Sequence, residues 1–155
     1  MAKISEDRLK RYRELANIPS MEIIDSEIRA IYQRMEAEGA PVKNMRDSKT
    51  GMFLAPFKQK LDELDIACVG IPMENSIPLR TSTRRGPEAI RQWSQWFGPV
   101  HEIWKTIPFD TFSVGDFGDI KFNDKDILSR IQQIFTLYNQ FHENGITPLS
   151  VGGEH

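Results

Sequence analysis

The residues best suited to chemistry are Glu154 and His155, a carboxylate and an imidazole at the end of the sequence. They follow a short apolar stretch, 147–151, and two glycines that allow a sharp backbone turn. This pattern predicts a buried strand, and ligands of open α/β sheets bind at the carboxyl ends of strands. A metal ligand or a catalytic group is therefore expected here, although these four residues alone also suit an ordinary tail.

Two further groups of polar residues follow predicted strands. Glu74 and Asn75 come after an apolar run, with basic residues that either hold an anion or form a solvated turn or a subunit salt bridge: Arg80, Arg84 and Arg85. Asp116 and Asp119 follow a second run, where paired carboxylates suit acid–base work or cation binding. Aspartates also close turns by accepting hydrogen bonds from their own backbone, so a structural role is equally open.

The composition restricts the class of protein. The chain has 155 residues, enough for one domain with a core, and its net charge of −2 gives no basic surface for nucleic acid. No apolar run reaches about 18 residues and no signal-peptide pattern occurs, so we expect a cytoplasmic protein that binds neither nucleic acid nor a membrane. Cys68 is the only cysteine, which excludes an intrachain disulfide and a multi-thiolate site. A metal must therefore use His and carboxylate ligands.

The segment before residue 60 is predicted to be a helical extension. Ser5 can cap a first helix, and Ser20 can cap a second one that ends at Gly39. The apolar stripes of both helices are typical of core or subunit contacts rather than of a cofactor site. Residues 39–60 mix Pro, Gly and polar residues without a period, which indicates a linker. We expect residues 1–60 to be dispensable for the sheet but important for assembly.

From Asp65 onward the pattern changes to alternating strands and helices. The run at 66–71 is continuously apolar, as is typical of a strand buried on both faces. The elements that follow are a helix from Gly86, a strand at 111–115 with a turn at 116–119, a helix from Asn123 or Asp124 to about Asn144, and the strand at the end of the chain. Strands that alternate with helices in this way predict parallel pairing.

Three motifs stand out in this part of the chain: GIPMENSIPLRTSTRRGPEAIR at 70–91, DFGDI at 116–120 and LSVGGEH at 149–155. In this order they resemble the ureohydrolases, the arginase/agmatinase family, and especially its agmatinase branch. The first resembles the family's first strand, loop and helix, the second its D-x-G-D turn, and the third its strand ending in G-G-[DE]-H. Glu74 replaces the usual aspartate, and Ser76, Thr81 and Ser82 also depart from the family pattern. These changes lie in the loop that borders the substrate pocket, so they leave the accepted guanidino compound open.

The resemblance implies a three-layer α/β/α fold with a parallel sheet, as in arginases and deacetylases. Residues 61–155 would supply an N-terminal portion with about three strands. It also implies hydrolysis of a small guanidino compound, such as agmatine, guanidinobutyrate or guanidine, to urea and an amine. The complete site would hold two Mn²⁺ or Ni²⁺ ions that share a bridging hydroxide, in a homo-oligomer (a trimer or a hexamer).

The resemblance also implies roles for single residues. His155 would be a metal ligand, and Glu154 would support it without binding the metal directly or would simply turn the backbone. Met73, Glu74 and Asn75 would line the substrate loop. Arg84 and Arg91 would be structural, pairing with acidic groups or joining subunits.

The family motifs that supply the other metal ligands, D-x-H-x-D and D-x-D-x-x-D-P, do not occur in this sequence. We therefore expect the chain to act as the N-terminal half of an enzyme and to be inactive alone. The alternative is a non-catalytic assembly or regulatory partner of a full-length ureohydrolase. A further reading frame or second polypeptide that carries the two motifs would distinguish these possibilities.

Overall fold

The computed structural model describes residues 5–17, 25–38, 50–74, 82–123 and 126–154. The chain divides into two compact units. The first comprises Met1–Val42 with Glu102–Lys105, and the second comprises Lys43–His101 with Thr106–His155. None of the helices in the described ranges combines the length and the apolar character needed to cross a membrane.

The first unit contains two helices, α1 (Glu6–Ala16) and α2 (Ser26–Ala37). The predicted cap of α1 is confirmed, because the Ser5 hydroxyl accepts the Arg8 N–H at 3.4 Å. The cap of α2 is Asp25, whose carboxylate accepts the backbone N–H groups of the first turn. Ser20 and Gly39, the predicted ends of this helix, lie outside the described residues.

The second unit is built on three strands, β1 (Ile66–Ile71), β2 (Val114–Asp119) and β3 (Thr147–Gly152). They form one sheet in the order β2-β1-β3, and both neighbouring pairs are parallel. The predicted parallel α/β architecture is therefore confirmed. The bounds of β1 agree with the predicted run, and its four central residues are buried, as expected for a strand covered on both faces.

The second strand begins later than predicted. Residues 116–119, predicted as a turn after a strand at 111–115, belong to β2 itself. The pairing with β1 shifts so that Cys68 faces Asp116 and Val69 faces Gly118, which leaves Phe117 as the extra residue of a β-bulge. Gly118 adopts a φ of 95°, a conformation that glycine accepts readily. The turn-like D-F-G-D sequence thus marks a bulge within the strand rather than its end.

The third strand has the predicted position but not the predicted burial. None of the six residues of β3 is buried, and Leu149 is 45% exposed. The physical reason is the strand order, since β3 lies at the end of the described sheet and has β1 as its only neighbour there.

Two helices cover opposite faces of the sheet, α3 (Gly86–Ser94) and α4 (Ile127–Glu143). Helix α4 begins later than predicted, because its N-cap is Asp126, whose carboxylate accepts the Ser129 N–H at 2.8 Å. Its predicted end is confirmed, and Gly145 follows with a φ of 70°.

The core accordingly has two parts. On the α4 face, the buried residues are Leu64, Ala67, Val69, Phe141 and Ile146. On the α3 face, Met52, Ala55 and Cys68 are completely buried and contact Ile90 of α3. Helix–sheet–helix layering is the three-layer arrangement that the family resemblance implies.

Residues 50–57 pack against this sheet, although they lie in the predicted linker. Met52 and Ala55 are fully buried on the α3 face. Pro56 accepts the N–H of Asp116 at 2.8 Å and Lys58 donates to the carbonyl of Asp116 at 3.0 Å, which adds a short parallel bridge to the outer edge of β2. This stretch therefore contributes to the core of the second unit, which argues against its dispensability.

Candidate active-site edge

The segments that follow β1 and β3 lie side by side at the carboxyl edge of the sheet. Ile71 and Gly152 are paired in register at the ends of the two strands. Beyond them, the Gly153 N–H donates to the Ile71 carbonyl at 2.9 Å, and the Glu154 N–H donates to the Met73 carbonyl at 3.0 Å. The fold thus brings Met73 of the predicted substrate loop beside Glu154, as the sequence-based site requires.

A third segment reaches the same edge from the start of α3. A Cβ atom added at Gly153 would lie 2.2 Å from the Met73 carbonyl oxygen and 3.0 Å from that of Thr83. One added at Gly86, the first residue of α3, would lie 2.5 Å from the Gly152 carbonyl oxygen. Three chain segments therefore converge too closely for side chains at these glycines. A Cβ at Gly152 would meet no atom within 4 Å. Of the two adjacent glycines, only Gly153 therefore lies too close to its neighbours to carry a side chain.

Glu74 and Thr83 place incompletely satisfied polar atoms at this edge. The Glu74 side chain is 18% exposed, and its Oε2 lies 3.6 Å from Arg84 Nε, an ion pair rather than a hydrogen bond. Within the described ranges, Glu74 Oε2 and Thr83 Oγ1 are buried and have no hydrogen-bond partner. A buried oxygen without a partner gains free energy when a donor arrives, so this corner is suited to a polar ligand.

The two aspartates of β2 serve a different purpose. Asp116 is fully buried, and its carboxylate accepts hydrogen bonds from Arg91 Nε at 2.7 Å and Nη2 at 3.0 Å, and from the N–H groups of Met52 at 2.8 Å and Gly118 at 2.9 Å. The Nη1 atom of Arg91 lies 2.7 Å from Asp119 Oδ1. The carboxylates are therefore engaged in a structural network, and the predicted structural role of Arg91 agrees with these contacts.

The ionisation of this network follows from its contacts. Burial alone would raise the pKa of Asp116, but the hydrogen bonds from Arg91, Met52 and Gly118 outweigh it, so the pKa is lowered overall. Burial alone would lower the pKa of Arg91, but its hydrogen bonds to Asp116 and Asp119 outweigh burial, so this pKa is raised overall. Both groups stay charged. A carboxylate held in this state by four donors is unsuited to exchange protons with a substrate or to ligate a cation.

The described residues do not form a metal centre by themselves. They contain no group of three or more His, Cys, Asp or Glu side chains that could hold a metal ion. Of the predicted site residues, Met73, Glu74 and Glu154 meet at the carboxyl edge, while Asn75 and His155 lie outside the described ranges. The ligand role of His155 stays a prediction.

Sequence reasoning missed Thr83 at the carboxyl edge and the stretch 51–52 beside Asp116. Thr83 was not predicted to reach the edge, although its position just before the R-R-G-P helix start was a usable signal. The sequence predicts a linker at Gly51 and Met52, yet the Met52 N–H donates to the Asp116 carboxylate and a Cβ at Gly51 would lie 2.3 Å from the Asp116 side chain. The uncharged stretch 51–57 within a polar segment was the available signal.

Sequence comparison identifies relatives of the second unit. A sequence profile of the arginase family matches residues 64–155. A guanidinopropionase of Pseudomonas aeruginosa is 36% identical over 92 residues, which cover 59% of this chain and 29% of the relative. A guanidinobutyrase of the same organism is 38% identical over 96 residues, which cover 62% of this chain and 30% of the relative. The matched segment is thus about three tenths of each relative's length.

Solved structures agree with this result. A hypothetical agmatinase from Burkholderia thailandensis superposes with a TM-score of 0.65 at 26% identity, covering 72% of this chain and 36% of the other. The proclavaminate amidino hydrolase of Streptomyces clavuligerus superposes with a TM-score of 0.62 at 22% identity, covering 72% and 37%, and this likeness supports the fold alone.

Proposed function

Because the chain belongs to the arginase family, we propose that it supplies the N-terminal part of an enzyme that hydrolyses a guanidino compound to urea and an amine. The names of the similar proteins support this reaction, since they include a guanidinopropionase, a guanidinobutyrase and a human guanidino acid hydrolase. The chain covers only 29–30% of these relatives, so the reaction of the whole protein is an inference from them.

The observation that carries the proposal is the junction at the carboxyl edge. The hydrogen bond from the Glu154 N–H to the Met73 carbonyl joins two segments that the family resemblance assigns to one site. We propose that Met73, Glu74 and Asn75 border the substrate and that Glu154 holds the end of β3 against them. His155 would then enter the site as a metal ligand.

The proposed cofactor is a pair of Mn²⁺ or Ni²⁺ ions. The described residues do not fit a two-metal site, so the ligands other than His155 would come from elsewhere in the enzyme. The metal content of a complete enzyme, measured by elemental analysis for the parent and for His155→Ala, tests this assignment. A variant that keeps two ions per subunit would show that His155 is not a ligand.

Glu74 is proposed to influence which guanidino compound is accepted. Its carboxylate would repel the carboxylate of a guanidino acid and attract the amine of agmatine. Glu74→Gln removes the charge and keeps the shape. If Glu74 borders the substrate, the ratio of kcat/KM for guanidinobutyrate over agmatine should rise roughly tenfold. Glu88→Gln is the matched control, because Glu88 pairs with Arg85 on the exposed start of α3.

The test of activity uses a hybrid protein. In the hybrid, this chain is joined at His155 to the part of P. aeruginosa guanidinobutyrase that follows the matched segment. We expect the hybrid, supplied with Mn²⁺ or Ni²⁺, to release urea from guanidinopropionate, guanidinobutyrate or agmatine, and the 155-residue chain alone to release none. A folded hybrid that releases no urea from any of the three would refute the reaction and favour a non-catalytic partner.

We further propose a cytoplasmic homo-oligomer, a trimer or a hexamer, without a nucleic-acid or membrane partner. Sedimentation velocity of the hybrid tests the number of subunits. A monomer at micromolar concentration would contradict this proposal.

A further inference from the structure

We propose that Thr83 is a specificity-determining residue whose hydroxyl, together with the Glu74 carboxylate, binds an N–H-donating cationic group of the substrate. Such a group is a guanidinium or a protonated amine. The inference rests on the proposed function, because it names a binding residue within the same site. It adds a residue that lies outside the proposed substrate loop of Met73, Glu74 and Asn75.

The position of Thr83 is fixed by its backbone. Thr83 opens a short 3₁₀ turn, and its carbonyl accepts the N–H of Gly86 at the start of α3. Gly86 in turn lies against the end of β3, where an added Cβ atom would be 2.5 Å from the Gly152 carbonyl oxygen. The start of α3 therefore holds Thr83 at a defined place beside the end of β3.

Glu74 reaches the same corner from the end of β1. An added Cβ atom at Gly153 would lie 2.2 Å from the Met73 carbonyl oxygen and 3.0 Å from that of Thr83, so these two oxygens are no farther apart than the sum of the distances. Glu74 follows Met73 directly, and its Oε2 lies 3.6 Å from Nε of Arg84, the residue after Thr83. The Glu74 and Thr83 side chains thus belong to one corner of the carboxyl edge.

The side-chain oxygens of this corner differ from the backbone oxygens beside them. The Met73 carbonyl accepts the Glu154 N–H, and the Thr83 carbonyl accepts the Gly86 N–H, so both carbonyls are satisfied. Glu74 Oε2 and Thr83 Oγ1, in contrast, are buried and have no hydrogen-bond partner among the described residues. Most buried polar atoms in proteins are hydrogen-bonded, and an unpaired one lowers the stability of the fold. The two oxygens are therefore better explained by binding than by folding.

The neighbouring arginine does not satisfy the carboxylate. The Arg84 side chain is 69% exposed, and the 3.6 Å between its Nε and Glu74 Oε2 exceeds the length of a hydrogen bond. Arg84 therefore leaves Glu74 Oε2 able to accept a hydrogen bond from a ligand.

The chemistry of the two oxygens defines the class of ligand. An ionised carboxylate only accepts hydrogen bonds, and a threonine hydroxyl offers two lone pairs besides its proton. Two neighbouring acceptors, one of them negatively charged, favour a cation with several N–H donors. Among the proposed substrates, each carries a guanidinium, and agmatine carries a protonated amine as well. The carboxylate of guanidinobutyrate would be repelled at this corner.

Thermal unfolding of the 155-residue chain tests whether the hydroxyl lacks a structural partner. Thr83→Val replaces the hydroxyl with a methyl group of nearly the same shape, so the melting temperature should rise by about 2–5 °C. Thr136→Val is the matched control, because the exposed Thr136 hydroxyl donates to the Gln132 carbonyl at 2.8 Å, and it should give no such rise. A melting temperature of Thr83→Val at or below that of the parent chain would mean that the hydroxyl is already paired, and the proposal would be wrong.

Binding is measured on the same chain by NMR titration. n-Butylguanidine carries only a guanidinium and n-butylamine carries only a protonated amine, so these probes distinguish the two sources of the cation. At least one of them should shift the amide signals of Thr83 and Glu154 saturably in the millimolar range, and Thr83→Val should weaken that binding roughly tenfold. Thr83→Ser keeps the hydroxyl and should bind as the parent chain does. If neither probe shifts these signals, or if Thr83→Val binds equally well, Thr83 does not bind the cation.

The hybrid protein measures the effect on turnover. Thr83→Val should lower kcat/KM roughly tenfold for each substrate whose cationic group is bound, while Thr83→Ser and Thr136→Val should stay within about twofold of the parent hybrid. A loss for agmatine alone assigns the corner to the amine, and an equal loss for agmatine and guanidinobutyrate assigns it to the guanidinium. Because Glu74 and Thr83 would bind one group, the double variant with Glu74→Gln should lose less than the product of the two single losses.

Failure of this proposal can be told apart from failure of the proposed reaction. A hybrid that releases urea at the same rate with Thr83→Val refutes the role of Thr83 and leaves the reaction supported. A folded hybrid that releases no urea refutes the reaction, whereas saturable binding that depends on the Thr83 hydroxyl would still support the cation site.

Discussion

At the β2 edge, residues 56–58 bind the backbone of Asp116 from outside the sheet, whereas the described residues give the outer edge of β3 no comparable partner. The difference extends to the side chains. Asp116 on β2 is fully buried and accepts hydrogen bonds from Arg91 and two backbone amides. No residue of β3 is buried.

This contrast shows that the described part of the second unit protects the outer edge of β2 but not the outer edge of β3. At β2, the buried carboxylate of Asp116 has its donors within the unit, which is the condition for a stable buried charge. Around β3, apolar side chains and outward amides are left to solvent. Substitutions of the groups that protect or pair with β2 should therefore cost the most stability.

The largest effect should follow from removing the segment that protects β2. A chain that begins at Lys60 loses Met52, Ala55 and the bridge to Asp116, so we expect it to lose cooperative thermal unfolding. A chain that begins at Lys43 should keep it. Met52→Ala, which leaves the bridge in place, should cost about 2–5 kcal/mol in urea denaturation. Cooperative unfolding of the shorter chain, measured by circular dichroism, would show that residues 43–59 are not needed by the sheet.

Removal of the cation at the β2 side should be nearly as costly. Arg91→Met leaves Asp116 buried and without its ion pair, so the free energy of unfolding should fall by about 3–5 kcal/mol at neutral pH. The control is Arg85→Met, because Arg85 pairs with Glu88 at the surface, where such pairs contribute about 1 kcal/mol or less. If urea denaturation shows that both variants lose equally little free energy of unfolding, groups other than Arg91 stabilise the buried charge of Asp116.

The carboxyl edge should give an intermediate effect. Gly153→Ala forces its Cβ against the Met73 and Thr83 carbonyls and should cost about 1–3 kcal/mol, whereas Gly152→Ala meets no atom and should change stability by less than about 0.5 kcal/mol. Thermal unfolding of the two variants measures the difference. Equal costs would mean that the three segments at this edge are not held as closely as the structure indicates.

The smallest effect concerns Cys68. Burial, with a contribution from Asp116 that Arg91 partly offsets, raises the pKa of the thiol from 9.0 to about 11. Because the folded pKa lies above the unfolded one, this contribution to stability is complete below about pH 9 and is lost as the pH rises through about 11. Between pH 8 and about pH 10, the free energy of unfolding should therefore decline by about 1 kcal/mol less in Cys68→Ala than in the parent chain. Identical declines in urea denaturation would contradict the shifted pKa.

The sequence alone determined the elements whose signals are local. The continuous apolar run of β1, the glycine after α4 and the alternation of strands with helices were sufficient to predict the bounds of β1, the end of α4 and parallel pairing. The order of three motifs was sufficient to indicate the family. These features depend on side chains close together in the chain, where backbone propensity and periodicity act directly.

Tertiary structure decided which polar residues are structural and which border the candidate site. Asp116 has a structural role because its carboxylate accepts hydrogen bonds from Met52 and Arg91, which lie 64 and 25 residues away in sequence. Glu74 and Glu154 reach one edge only because β1 and β3 are neighbours. The same strand order leaves β3 exposed although its sequence predicts burial. Burial and hydrogen bonding are properties of neighbours in space, and a local sequence pattern cannot specify neighbours that a distant segment provides.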